Sequence, residues 1–575
     1  MTLTDCQNLL EPIAERARRA PDVRVLTVLH EDGTDEHVSA GDVLAEAQAY
    51  ASGFERAGIA PDDVVILAIG PLRPLIATFL GAMWRGAIPS ISSWGTDRLD
   101  AAVHRQGVTT LAQSCGARAV VTTADRGAVL RDMLADSGCR VLGCEDLPLA
   151  GAPPSDAAVR RAPEDIAFLQ YSSGSAGRPK GVPNTHGATL RYLDAKRRTS
   201  VGPRDVVVSW LPLYHDFGLV SGLLCPLVLG VHGVLMAAHH WVRDPKMLFR
   251  AIHQYRGTVC FMPNFAFNHC VRTIRDRDLE GMDLSHWEKL LSGSEPVRLD
   301  SFRGFAERFA PYGFRASALR TGYGMAELVE GVTTSAIGDP PGPDWIDRTR
   351  LQAERRAEPA VPHQPGGVAI MSCGRPMPGT ELRIADERGN ALPERAVGEV
   401  MVRSAYMFRG YYRQPELTAQ AIRDGWFCSG DLGYLADGQL YITGRKKDLI
   451  IVGGRNVHPE DLEQIADKTP GLRPGRSVAF GIPDALLGSE RIVVVCEVAA
   501  DCDAEQQLAI ERQLRRNVTR EIGVTLGEVR FVPRGWISKT SSGKTARPVN
   551  RRRFLEQYGR AHAGDANRAP TPPQS

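Results

Sequence analysis

Asp63–Ile69 reads DVVILAI, and a few residues later Leu75–Gly86 reads LIATFLGAMWRG. The first is a short β-branched run. The second is longer, with apolar residues at helical spacing and a glycine at its end. Together they predict a strand followed by a helix in a buried layer. The alternation continues outward. Val43–Gly58 (VLAEAQAYASGFERAG) has the spacing of a helix, and Ala117–Thr123 (ARAVVTT) that of a strand. The pattern returns at Asp205–Trp210 (DVVVSW), Thr258–Met262 and Arg491–Val498 (RIVVVCEV). Strands alternating with helices predict parallel sheets covered on both faces, so the fold class is α/β.

A chain of 575 residues is too long for one ordinary core and predicts at least two domains. Hydrophobic residues are 43% and charged residues 24%, as in a folded globular chain. Lys+Arg is 69 against Asp+Glu 67, a net charge of +2. That balance argues against a nucleic-acid or anionic-membrane partner. The 11 cysteines include no C-x-x-C pair; the closest spacings are Cys139/Cys144 and Cys496/Cys502. Zinc and dithiol-redox chemistry therefore lack their spacing, and buried thiols in a reducing, cytoplasmic setting fit better. The first twenty residues (MTLTDCQNLLEPIAERARRA) lack the apolar run of a secretory signal.

Phe217–Val242 has no formally charged residue. It is long enough to span a bilayer, but it holds Pro226, three histidines and four glycines. The expectation is no membrane span: a buried helix, then a buried strand, with Gly230 and Gly233 as punctuation. Residues 338–367 are rich in Pro, Arg, Asp and Glu without an apolar face, and read as a surface insertion or mobile loop. Glu381–Arg403 reads as short strands of a β subdomain, and a last α/β unit starts near Arg445. The tail 563–575 reads as disordered.

The densest chemistry lies at Tyr171–Gly181, YSSGSAGRPKG. It follows a strand-like Ile166–Gln170 and precedes a helix near Thr189. Glycines let backbone N–H groups converge on an anion, the serine hydroxyls add donors, and Lys180 or Arg178 adds charge. This suits a polyphosphate. It is not a Walker A loop, because Pro179 stands where that motif has glycine before the lysine. Ser541–Thr545 (SSGKT) ends like a Walker A loop, but Ser538 stands where the motif needs its first glycine. Taken alone, Lys544 is an exposed lysine on a turn.

Seven segments taken in order resemble the adenylate-forming superfamily of acyl-CoA synthetases, luciferases, peptide-synthetase adenylation domains and fatty acyl-AMP ligases. They are YSSGSAGRPKG, WLPLYHDFGL (Trp210–Leu219), SGSEPV (Ser292–Val297), TGYGMAE (Thr321–Glu327), SGDLGYL (Ser429–Leu435), TGRKKDLIIVGGRN (Thr443–Asn456) and SKTSSGKTAR (Ser538–Arg547). The resemblance implies a large N-terminal domain, 1–445, of parallel-sheet α/β subdomains plus a β subdomain. A small mobile C-terminal α+β domain, 446–562, then carries the catalytic lysine. It also implies ATP and Mg²⁺ as cofactors, a carboxylic acid as substrate, and an acyl-adenylate and pyrophosphate as products. By position, Lys544 matches the catalytic lysine and Glu327 the Mg²⁺ ligand. Ser172, Ser173, Gly174, Ser175, Gly177 and Lys180 match the phosphate loop. Gly293, Ser294, Glu295 and Tyr323 match the adenine pocket, Asp431 and Arg445 the ribose site, and Lys447 the hinge. His215, Phe261 and Gly324 are candidates for the acyl pocket, although His215 equally suits plain core and apolar residues near a strand end, such as Phe261, are more often core.

Three features resemble the fatty acyl-AMP ligase branch: Ala326 where many relatives have threonine, the His215–Asp216 pair, and the charged segment 344–365. In that branch the insertion is thought to hinder the domain rotation that coenzyme A transfer needs, and the acyl group goes to the phosphopantetheine thiol of an acyl carrier protein. GGRNVHPEDLE (Gly453–Glu463) and VPNTH (Val182–His186) depart from the branch pattern. A coenzyme A ligase, an enzyme of a small or aromatic acid or an unusual nucleophile, and a non-catalytic nucleotide sensor remain as alternatives.

Overall fold

The computed structural model describes residues 3–93, 101–147, 161–172, 180–338, 340–452, 455–484, 489–499, 502–540 and 543–558, without the side chains of 101–104 and 172. The phosphate-loop positions Ser173, Gly174, Ser175 and Gly177 and the tail 563–575 lie outside these residues, as does the side chain of Ser172.

The strand–helix rhythm yields two parallel layers. Val64–Ala68 is the second strand of a four-stranded sheet, between Ile88–Ile91 and Ala119–Thr122, with Arg140–Gly143 at the edge, all parallel. Its helices start three residues ahead of the expected Val43 and Leu75 and stop at or just before the expected glycines. Ser39 and Asp42 form a reciprocal cap on helix Ala40–Arg56, and Leu72–Arg85 ends on Gly86 with φ +82°. The larger sheet has nine strands. Six central ones run parallel in the order Leu319–Gly324, Lys289–Ser292, Val259–Met262, Val206–Ser209, His232–Met236 and Arg24–Leu29. The polar turns that follow four of these strands, after Ser209, Met262, Ser292 and Gly324, sit at one rim, where the carboxyl ends of parallel strands leave room for a ligand.

The charge-free run becomes a π-helix over Phe217–Leu224, a short helix Cys225–Leu229 and the strand His232–Met236. Gly230 caps the helix with φ +79° as expected. Gly233 does not punctuate; it lies inside the strand opposite Leu26, whose Cδ2 would be 2.9 Å from an added Cβ. Among the described residues no helix is long and apolar enough to cross a membrane.

The phosphate-loop segment also differs from expectation. Ile166–Ser172 does not lead straight to a helix. It pairs antiparallel with Lys180–Thr185, so the loop joins two hairpin strands, and helix His186–Thr199 starts only after the second.

The segment 338–367 is not an unstructured loop. Pro343–Asp347 pairs with Gly367–Met371, and helix Arg348–Glu354 lies between them. Ile346, Leu351 and Ala357 are buried against Val397, Tyr434, Ala436 and Tyr441 of the β subdomain. Asp344 accepts from the Tyr434 hydroxyl at 2.7 Å and pairs with Arg395 at 3.0 Å. The composition hid this because only a few of its apolar side chains carry the packing.

From Ile450 onward the buried apolar residues form their own clusters, around the three-stranded sheet Leu472–Asp484, Ser489–Val498 and Glu528–Val532. Arg547 fastens this unit. Its guanidinium meets Asp448 at 2.8 Å, Glu463 at 2.9 Å and Glu460 at 3.1 Å. Removing it strands three carboxylates in a poorly hydrated place. Arg547→Ala should therefore cost about 3–5 kcal/mol in denaturant unfolding monitored on the C-terminal unit, and Arg547→Lys should recover little of it.

Candidate active site

The rim of the large sheet gathers most of the motif residues. After Ser209 the chain turns through Trp210 to His215 and Asp216. The His215 Nδ1 lies 2.6 Å from Asp216 Oδ1, and Asp216 also caps the π-helix through the Phe217 N–H. After Met262 come Pro263 and Phe265. After Ser292 come Gly293, Ser294 and Glu295. Gly293 has little room for a side chain, since an added Cβ would lie 3.3 Å from the Gly322 carbonyl oxygen, and Ser294 has φ +70°. After Gly324 a single 3₁₀ turn carries Glu327.

Lys544 comes to this rim from the far end of the chain. It lies on a tight turn in which the Thr540 N–H donates to the Lys544 carbonyl at 2.7 Å, and the Lys544 N–H donates to Thr540 Oγ1 at 3.1 Å. The turn rests on Phe265, because a Cβ on Gly543 would lie 3.5 Å from Phe265 Cε1. Burial pushes the Lys544 ammonium pKa down, and Arg445 adds to the fall. Asp216, Glu295 and Asp431 pull it back up. The same fields act on the partners. Burial works against ionisation of Asp216, but His215 and Lys544 outweigh it and hold its carboxyl below the usual range. Glu295 goes the other way: burial raises its pKa, opposed by the Phe265 N–H it accepts and by Lys544 and Lys539.

Asp431 and Arg445 face each other across an antiparallel pair, Trp426–Ala436 with Gln439–Arg445. Arg445 Nε lies 2.8 Å from Asp431 Oδ1, and the Tyr323 hydroxyl donates to Asp431 Oδ2 at 2.7 Å. The Asp431 carboxylate holds the Arg445 pKa up. A buried carboxylate pinned on both oxygens is a fixed acceptor, suited to a vicinal diol. Lys447 is exposed on the 3₁₀ turn just after Arg445. Its pKa is pulled down by desolvation and by Arg445 and Lys180.

Glu327 accepts from the Tyr411 hydroxyl at 2.7 Å. Burial raises its pKa, partly offset by that bond and by Lys180, while Asp216 adds to the rise. Lys180 opens the second hairpin strand, with its ammonium 5.1 Å from the Tyr411 ring. Lys180 and Asp216 thus both act on Glu327, and Asp216 acts on Lys544, so the cation, the acidic residue and the distant lysine share one electrostatic neighbourhood.

Three expectations land differently within it. Glu295 turns toward Phe265 and the C-terminal lysines. Phe261 is fully buried, with its ring 5.6 Å from Phe217 and under the Lys196 ammonium at 4.5 Å. At Gly324 an added Cβ would fall 1.8 Å from the Glu330 carbonyl oxygen, so a close backbone approach demands glycine there. Sequence reasoning passed over Tyr411 and Trp241, the latter stacked on Trp210 with centroids 3.6 Å apart. No local signal marks them; they are ordinary aromatics until the fold brings them to the rim.

Comparison with known proteins identifies the family. The family model described as AMP-binding enzyme matches residues 13–412. A long-chain-fatty-acid–AMP ligase of Mycobacterium bovis is 31% identical, over 97% of this chain and 98% of its own. A protein of Caulobacter vibrioides described as a putative acyl-CoA synthetase is 31% identical over 89% of both chains. A solved structure from studies of fatty acyl-adenylate ligases from E. coli and L. pneumophila superimposes with TM-score 0.88 at 28% identity, covering 97% of this chain and 100% of that one. The chain belongs to the AMP-binding enzyme family, the adenylate-forming enzymes whose motif order its sequence follows.

The electrostatics of this neighbourhood make a prediction with a sign. Asp216 supports the protonated form of a lysine whose pKa burial lowers. Asp216→Asn removes that support, so the Lys544 pKa falls. The alkaline limb of acid-dependent ATP–pyrophosphate exchange should then move to lower pH, and an unmoved limb would separate Asp216 from the lysine.

Proposed function

We propose that this AMP-binding enzyme joins a fatty acid to AMP and then passes the acyl group to the phosphopantetheine thiol of an acyl carrier protein. What supports the reading most is the Lys544 ammonium, brought from the C-terminal unit within electrostatic reach of Asp216, Glu295 and Asp431. The named relatives support the choice of acid, and eleven free thiols suit a cytoplasmic setting.

In the first step a carboxylate oxygen forms a bond to the α-phosphorus of ATP. The bond from that phosphorus to the bridging oxygen breaks, and pyrophosphate leaves with the electron pair. No general base is needed, since the acid is ionised at neutral pH. The task is to hold two anions together. Lys544 does this between the carboxylate and the α-phosphate oxygens. Asp431, held by Tyr323 and Arg445, accepts from the ribose hydroxyls. The loop 172–177 and Lys180 bind the β- and γ-phosphates, and Gly293, Ser294 and Tyr323 bound the adenine. Glu327, half-buried, suits Mg²⁺ as a hard-oxygen donor whose charge desolvation penalises and a cation would relieve. Mg²⁺ bound there would supply positive charge beside the pyrophosphate. In the second step the carrier thiol sulfur bonds to the acyl carbon and its proton goes to solvent. The acyl–phosphate oxygen bond breaks and AMP leaves with its electron pair.

Between the steps, residues 446–562 turn about Lys447, withdrawing Lys544. The insertion bears on that turn. Arg348 on its helix meets Asp461 at 2.9 Å, and Arg455 donates to Gln352 at 2.8 Å. Arg298 and Asp300 make further links to Gln464 at 3.0 Å and Lys468 at 3.1 Å. These bonds favour the docked arrangement over the rotated one that coenzyme A would need, which supports a carrier-protein acceptor.

Lys544→Ala should cut acid-dependent pyrophosphate exchange by about 10²-fold or more while ATP still binds. Full exchange in that variant would remove the assignment. Arg348→Ala combined with Gln352→Ala should raise thioester formation with coenzyme A at unchanged adenylation, measured by product chromatography. No gain would count against the insertion as a brake.

A further inference from the structure

One buried ion pair has no part in the chemistry above. Lys196 is 3% exposed and Glu330 8%, and Lys196 Nζ lies 2.8 Å from Glu330 Oε1. The ammonium also donates to Ser221 Oγ, and the Ser221 hydroxyl donates to the same Glu330 oxygen. Tyr192 Oη sits 3.4 Å from Lys196 Nζ, and the Phe261 ring caps the ammonium at 4.5 Å. Glu330 Oε2 is buried with no partner among the described residues. Two charges in an apolar core are seldom the cheapest way to hold it together, since desolvation offsets much of their attraction. Their placement is more informative than their strength.

Each member belongs to a segment that also carries a residue of the proposed reaction centre. Lys196 is on helix His186–Thr199, which follows directly from the hairpin strand that Lys180 opens. Ser221 is on the π-helix that Asp216 caps. Glu330 is three residues beyond Glu327. The link between those last two is strained. The Glu330 N–H donates to the Leu328 carbonyl at 2.7 Å, closing a three-residue turn centred on Val329. Val329 has φ +65° and ψ −52°. That turn is rare for any residue and an outlier for a β-branched one. Leu328 and Val329 are almost wholly buried, and the Glu330 carbonyl presses into the space left by Gly324. Backbone in such a state persists only where its surroundings hold it there.

We infer that Lys196, Ser221 and Glu330 are positioning residues that clamp the strained turn after Glu327, and so fix its carboxylate for the metal and phosphates. They touch no reacting atom. The inference rests on Glu327 as the Mg²⁺ residue, and goes beyond it by assigning what holds Glu327 in place. Partners one step behind a metal ligand govern its affinity by orienting it.

The test is the affinity of Mn²⁺ for full-length enzyme saturated with α,β-methylene-ATP, followed by the Mn²⁺ spin-resonance signal. Lys196→Met with Glu330→Leu removes both charges at similar volume, so no lone charge is left buried. This double variant should melt close to wild type and bind AMP normally. Its Mn²⁺ affinity should fall about tenfold or more, and pyrophosphate exchange should fall with it and recover partly at high Mg²⁺. Should that protein not fold, Ser221→Ala decides: it should weaken Mn²⁺ about threefold with AMP binding unchanged. Wild-type Mn²⁺ affinity in whichever variant folds overturns the inference. Glu327→Gln is run alongside. Loss of Mn²⁺ there with none in the clamp variant overturns the clamp alone. Unchanged Mn²⁺ binding in Glu327→Gln removes both the Glu327 assignment and the clamp.

Discussion

The molecule is organised around a problem of like charges. An ionised acid must be held against a polyphosphate, and both repel. A single ammonium answers this only if it is desolvated enough to act strongly and flanked by enough negative charge to stay protonated. Lys544 is the candidate, with burial lowering its pKa and Asp216, Glu295 and Asp431 opposing that fall. Every larger feature serves that balance. The parallel sheet supplies a rim, the β subdomain presents the Asp431–Arg445 pair, and the C-terminal unit brings the lysine.

In the reaction proposed, the cation is needed for one step and withdrawn for the next, so it has to sit on something detachable. The interface is held by separate polar links such as Arg348–Asp461 and Arg455–Gln352, while the buried apolar clusters on either side stay separate. Polar links can part without exposing an apolar core, so the unit can leave its docked position even though these bonds hold it there. Within the C-terminal unit the opposite holds. Arg547, three residues from Lys544, is locked among three carboxylates, so the turn that carries the lysine has a rigid base.

Much of the fold was legible because period and composition are local properties. DVVILAI and DVVVSW could be little else than buried strands, and Gly86 and Gly230 end their helices as the sequence suggests. Asp431, Arg445 and Lys544 were legible through ordered motifs, and the fold brings them together. What was not legible depended on distant partners. The insertion reads as solvated from its charges, yet Ile346 and Leu351 find a surface only the β subdomain provides. Lys196 lies in a run that reads as a basic helix end, and Glu330 in a run of mixed polarity; nothing in either marks a buried pair. The strain at Val329 has no sequence signature, since any scale would favour valine in an ordinary strand there.

The central claim is that Lys544 spans the acyl carboxylate and the phosphorus-bearing side of the adenylate. The most direct measurement is a crystal structure of the enzyme with an acyl-sulfamoyl adenosine, a stable mimic of the acyl-adenylate. The account predicts the Lys544 ammonium within hydrogen-bonding distance of both the acyl carbonyl oxygen and a sulfamoyl oxygen, with Asp431 on the ribose. A complex with the mimic seated and Lys544 facing solvent, while the C-terminal unit stays docked, would contradict it.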